Sequence, residues 1–439
     1  MKFNGALLGA VVLAGCVGVA TDSATTSKSQ AVTGTIDSVK LPTTFLQNAN
    51  AIHGEGALGD HGHHASFAHG VPNVDSVVNF TGSFSTPGFD GAGNPQSSWP
   101  FSMVGRDPAR NEPTFFRAPI VPITVELLDS TGAVASYNGT PLRFTPGTDT
   151  VDATLRSPVF SPFQYNSGIG QFTDQMMRTQ FWDKFPHHFW NDAYHDVLIP
   201  QVLASRTIQI PFGSWYFFTN AQGVPEATVV DINQFANQLF PPAPGDTTSV
   251  LGSLETSRQI LTRDITTLLF KDVYLYSGDI SNCCILGFHT YDSEPGDASN
   301  GNKERRYVMN YASYISPQLF GFGFQDVTAL SHEIAELFAD PFVDNATPWW
   351  LSSDPILGSG LCQNNLETGD VIEVLNQPVY PVAMNDRTYH PQNEALFPWF
   401  AMQSPSTAKG GAYSFPDETV LPNLSPHPLG VGCQAPPTP

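Results

Sequence analysis

Residues 331–341 read SHEIAELFADP, and the spacing predicts a helix with two faces of different kinds. At about 100° per residue, His332 sits at about 0°, Glu336 at about 40°, Asp340 at about 80° and Glu333 at about 100°. Val327, Leu330, Ile334, Leu337 and Phe338 gather at roughly 140° to 240°. One face can bury, while the other carries an imidazole and three carboxylates. Asp326 is placed to cap the start, and Pro341 to end the helix. The polar face suits a divalent metal, because a His and a ligand at i+4 stand one above the other and reach one ion. Glu333 points slightly aside, where a general base can serve a metal-activated water. The plainer alternative is a solvated acidic face with one stray histidine.

This text resembles the HExxH helix of the zinc metallopeptidases, the zincins. HEIAELFAD is most similar to the thermolysin-type version, with an Asp at i+8. The chain departs from that pattern where the second His is Glu336, a ligand that brings negative charge to the ion and so weakens its acidifying effect on water. The resemblance implies His332 and Glu336 as zinc ligands and Glu333 as the catalytic base. Asp340 would then orient His332 or Glu336 from behind. Thermolysin-like proteins take a third ligand from a downstream Glu in an ExxxD context. Here LCQNNLETGDVIEV (361–374) offers E-x-x-D, which implies Glu367 as third ligand and Asp370 as its partner or substitute. Tyr389 and His390, in NDRTYHPQNEALFPWF, are the oxyanion candidates. The helix, its DP terminus, the following Trp and the later E-x-x-D are also similar to a group of uncharacterised secreted bacterial lipoproteins. Plant EXORDIUM-like proteins carry a similar S-H-E-x-x-E-x-x-x-x-P helix. That resemblance covers mainly residues 280–415 and implies a zincin-like domain.

Outward from the helix, the N-terminus decides the compartment. MKFNGALLGAVVLAGCVGVA has a basic Lys2 and an apolar run too short to anchor stably in a bilayer. Leu13-Ala14-Gly15-Cys16 resembles a bacterial lipobox, which predicts cleavage before Cys16 and lipidation of its thiol. An ordinary secretory signal cut near Ala20 is the alternative. Either way the chain is expected to be exported, as a bacterial envelope protein tethered to the membrane or as a secreted one. Charged residues make up only 13% of the chain and the net charge is −21. That balance argues against nucleic acid and against electrostatic docking on anionic lipid, and suits a protein able to attract divalent cations. The sequence contains neither GxxxxGK[ST] nor GxSxG, so neither a nucleotide loop nor a serine nucleophile elbow is indicated.

The expected organisation is a signal peptide (1–16), a tether with a His-rich segment (17–72), a β-rich module (73–150), a zincin-like domain (151–420) and a Pro-rich tail (421–439). The fold class is α+β, a mixed sheet with an active-site helix. In the tether, His53, His61, His63, His64 and His69 read as a flexible loop or a loose chelator. His187, His188 and His195 read as packing residues in an aromatic setting. Strands are expected within 206–219, 266–276, 284–290 and 306–312, and a helix capped by Asp231 over 231–240. An oxidising compartment permits disulfides. Adjacent cysteines bridge each other poorly, so Cys283 and Cys284 are expected to pair with Cys362 and Cys433. A four-thiolate zinc site is the alternative.

Two functions follow as expectations. One is an extracytoplasmic zinc peptidase acting on peptide or protein substrates. The other is a non-catalytic envelope lipoprotein with a structural or calcium-type metal site.

Overall fold

A computed structural model describes residues 35–41, 46, 71–89, 94–187, 191–321, 323–351, 362–373, 375 and 377–424. Cys16, the histidines of the tether, His188, Cys433 and most of the expected tail lie outside the described residues.

The apolar run Ile120–Leu128 organises the chain. All but its last residue lie in a long strand buried along nearly all its length, as parallel strands covered on both faces are. In chain order the main strands are β1 (Asn79–Phe89), β2 (Pro95–Val104), β3 (Thr114–Leu127), β4 (Asp196–Val202), β5 (Arg206–Ile210), β6 (Thr266–Lys271), β7 (Gly287–Glu294) and β8 (Glu304–Tyr314). Strand β3 pairs in parallel with β4, β5 and β6. Strand β6 continues in parallel onto β8, and β7 closes antiparallel against β8. The fold is therefore α+β around a mixed sheet. The expected division at residue 150 does not separate two sheets. Burial of IVPITVELL on both faces requires partners from later in the chain, and β3 finds them in β4, β5 and β6.

Helices cover both faces. Those used below are α1 (Phe172–Gln180), α2 (Ile232–Leu239), α3 (Val250–Thr256) and α4 (Thr328–Ala339). Alternation along the strands sorts the core into two layers. Val308 and Ala312 of β8 join the layer of α1 and α4. Met309 and Tyr311 join the layer of α2 and α3. Asp231 caps α2 through the N–H groups of Asn233 and Gln234.

A smaller four-stranded sheet comprises Trp215–Thr219, Pro225–Asp231, Val273–Tyr276 and Cys283–Ile285. Here one expectation is corrected: Cys283 is bonded to Cys284, not to Cys362 or Cys433. The peptide between them is cis and brings their Cα atoms to 3.0 Å, a geometry that the rule against adjacent bridges leaves out.

Helix α4 carries the SHEIAELFADP text. Ile334, Leu337 and Phe338 are fully buried, and Phe338 meets Phe116 of β3 edge-on at 5.8 Å. Each such side chain contributes about 1.5–3 kcal/mol of burial. The helix ends at Asp340, directly before Pro341. Its start differs from expectation. The N-cap is Val327, without a side-chain bond, because Asp326 is drawn elsewhere. Asp326 accepts from the main-chain N–H of His390 and pairs with its ring at 2.7 Å. The polar face is not solvated either, since every residue of α4 is buried.

A buried imidazole–carboxylate centre

Two close approaches set the polar face of α4 against its surroundings. A Cβ on Gly287 of β7 would lie 2.5 Å from Cγ of Glu333, and one on Gly369 would lie 2.3 Å from Nδ1 of His332. Only glycine lets the strand and the 366–373 loop come so near. The main-chain N–H of Gly369 then donates to Glu336 Oε1 at 2.7 Å. The loop is held by Asn365, which donates to Glu367, and by Thr368, which donates to Glu394.

The centre assembles from three directions. On α4, His332 Nε2 is 2.8 Å from Glu336 Oε2. From the loop, Asp370 Oδ1 reaches to 3.7 Å of His332 Nε2. From β7 comes His289, whose Nδ1 lies 3.7 Å from Glu333 Oε2 and 3.8 Å from Glu336 Oε2. Its Nε2 lies 4.0 Å from Glu367 Oε2. Ligand atoms of His289, Glu336 and Glu367 fall within 4.8 Å of one another, as do those of His332, Glu333 and Glu336. Glu336 thus belongs to both sets. Glu373 and Glu394 are also fully buried.

Electrostatics follow from this crowding. Burial, compounded by Glu336, Asp370, Glu367 and Glu394, pushes Glu333 well above the usual carboxylate range. Burial raises Glu394 likewise, with Glu336 adding to it. Burial pushes the His289 imidazole down to about 4, against the pull of Glu336, so this ring is neutral at ordinary pH and suited to ligation. Buried carboxylates packed together need protons or a cation among them. The donor set of imidazole nitrogen and carboxylate oxygen fits zinc better than calcium, which takes oxygen alone.

Of the residues singled out in the sequence, His332, Glu333, Glu336, Glu367 and Asp370 converge. Asp340 stands differently from expectation. Its carboxylate accepts the N–H groups of Asp344 and Asn345, and its main-chain carbonyl, 3.2 Å from His289 Nε2, is what meets the centre. Asn345 continues the brace, exchanging hydrogen bonds with the Ser102 backbone of β2. His390 is tied to Asp326 before the helix begins. The charges bearing on the Tyr389 phenol are Arg387, Arg156, Asp326 and Asp152, so neither oxyanion candidate is drawn to the cluster. His187 stacks on Trp182 and His195 pairs with Asp174. The sequence reading missed His289. Its signal was a histidine two residues after a glycine inside an apolar strand, CILGFHT.

No family model, curated protein or solved structure matches the chain. The zincin resemblance therefore stands on the helix text alone.

Proposed function

We propose that the chain is a zincin-like metalloprotein, with zinc held by His332, Glu336, His289 and Glu367. The observation that carries this reading is the convergence of a second imidazole, His289, on the carboxylates of a His332–Glu336 helix. The strand supplies the neutral donor that the helix lacks at position 336. A neutral nitrogen in the set restores the Lewis acidity that an all-carboxylate partner set would dampen.

A bound zinc would supply Lewis acidity toward a carbonyl and its attacking water. Glu333, whose carboxylate faces the same cluster, would hold and return a proton at its carboxylate oxygen. Gly287 and Gly369 leave the room that the Glu333 and His332 side chains occupy. Hydrolysis of a peptide bond is the reaction class this placement favours. The direct test compares zinc content and peptidase activity in the intact chain and in Glu333→Gln. We expect the variant to keep its zinc and lose hydrolysis. Equal hydrolysis by both proteins would remove Glu333 from the role of base.

A second reading has its own support. His289, His332, Glu333, Glu336, Glu367 and Asp370 are each at most 2% exposed, and closed metal centres are the structural kind. On this reading the ion locks α4 to β7 and the 366–373 loop, and the protein is a non-catalytic envelope component. Zinc retained with no chelator-sensitive hydrolysis of any peptide would select it.

Export with a lipid anchor at Cys16 completes the proposal. It rests on the lipobox-like LAGC and is supported by the Cys283–Cys284 bond, which suits an oxidising compartment. No described helix is long and apolar enough to cross a membrane. Mass spectrometry of the mature N-terminus tests it: a lipid-modified Cys16 is expected, and a free N-terminus near residue 21 would replace the anchor with plain secretion.

A further inference from the structure

Strand β7 alternates between the two layers, and its far end carries a second group of carboxylates. His289 faces α4. Asp292 and Glu294 point the other way, toward α3, in the layer that holds Phe288. There they meet Glu255, the sixth residue of α3 (VLGSLET). Carboxylate oxygens of Glu255, Asp292 and Glu294 lie within 4.8 Å of one another.

Among the described residues no basic side chain answers the charge at this place, and the Glu255 and Asp292 carboxyls lie close enough to share a proton. Antiparallel register puts Arg305 of β8 opposite Glu294, the natural position for a cross-strand ion pair. Arg305 instead turns to Asp297, at 2.7 Å, and to the Pro295 carbonyl. The charges bearing on Glu255 are those of Asp292 and Glu294, both negative. Glu255 is only 7% exposed, and apart from the Asp292 carboxyl its oxygens meet no partner among the described residues. Glu294 accepts one main-chain N–H, from Gly245 at 3.1 Å.

We propose that Glu255, Asp292 and Glu294 form a calcium site, separate from the imidazole centre on the opposite face of the sheet. The donors are all oxygen, as a hard cation requires. Asp292 and Glu294 remain partly exposed, so water can complete a coordination number of 6–8. The ion fastens α3 to the edge of the sheet, holding the α2–α3 layer over β7 and β8. A site with three carboxylates and open water positions belongs with the weaker, extracellular class of calcium modules, with dissociation constants on the order of 10⁻⁴–10⁻³ M.

The test is thermal unfolding of the purified full chain, with calcium chloride added at several times that constant or left out. It is repeated on the double variant Asp292→Asn, Glu294→Gln and on Glu336→Ala. Calcium is expected to raise the melting temperature of the parent chain and of Glu336→Ala by several degrees, and to leave the double variant unchanged. Should the double variant not fold, terbium luminescence of the parent chain provides the readout, with calcium expected to displace the terbium. A melting temperature indifferent to calcium, an equal rise in the double variant, or terbium that calcium does not displace would overturn the site.

Discussion

One strand, β7, presents two carboxylate clusters to opposite faces of the same sheet, and they differ in donor type and in depth. Around His289 the carboxylates are fully buried and mixed with two imidazoles from separate elements. Around Asp292 the donors are oxygen alone and two of the three residues are partly exposed. Depth and donor type together set which ion each cluster can hold. A dry site with nitrogen donors discriminates for zinc by ligand softness, whereas a wet oxygen site serves an ion that keeps part of its water.

The largest effects should come from separating the imidazoles from the carboxylates. His289→Ala or Glu336→Ala is expected to lower zinc content to background and to cost about 3–5 kcal/mol in urea unfolding, since the remaining buried groups lose their partner. If His289→Ala keeps full zinc, the strand is not part of the centre and the contrast between the two faces disappears.

A smaller effect is expected at Gly369, which touches the centre only by leaving room for it. Gly369→Ala forces a methyl group onto the His332 ring, at 2.3 Å from Nδ1 in the present geometry. Overpacking of about 1–3 kcal/mol is expected, with zinc affinity down by roughly 10–100-fold. Competition with a chromophoric chelator measures the affinity. Unchanged affinity would mean that the loop yields easily and does not fix the ring.

A third buried carboxylate calibrates the comparison, because it belongs to neither cluster. Burial, helped by Asp174, pushes Asp196 up to about 8, and Tyr194 donates a hydrogen bond to it. A raised carboxyl contributes stability that is complete below its unfolded value, near 4, and is lost as pH rises through about 8. Asp196→Asn should therefore flatten the decline of melting temperature between about pH 4 and 8. An identical decline in both proteins would assign the pH dependence to other groups.

The smallest effect belongs to the surface. Glu126 is answered by Arg143 at 2.6 Å, and the arginine is half exposed. Arg143→Ala is expected to cost less than about 1 kcal/mol and leave metal content unchanged. A loss several times larger would show that this partly exposed pair is tightly coupled to the fold.

Much of the framework was legible in the chain. The 3.6-residue period of VTALSHEIAELFAD places a buried stripe beside a ligand face, and α4 lies where that period puts it. Strands such as TTLLFK and RRYVMNYA announce themselves by short apolar runs. Other features depend on pairing across the sheet, which no local pattern encodes. His289 precedes His332 by 43 residues and joins it only because β7 lies beside β8 under α4. Asp340 looked like a partner for the helix ligands because it shares their face on a helical wheel. The helix stops there, and its carboxylate turns to cap the following loop instead. Strand β3 is a further case, since it reads locally as β-rich yet takes its partners from 196–271.

Elemental analysis of the purified chain beside His289→Ala tests the central claim most directly. The account predicts about one zinc per chain in the parent, resistant to calcium, and background zinc in the variant. Zinc absent from the parent, or present equally in both, would contradict a centre built from His289 and the α4 ligands.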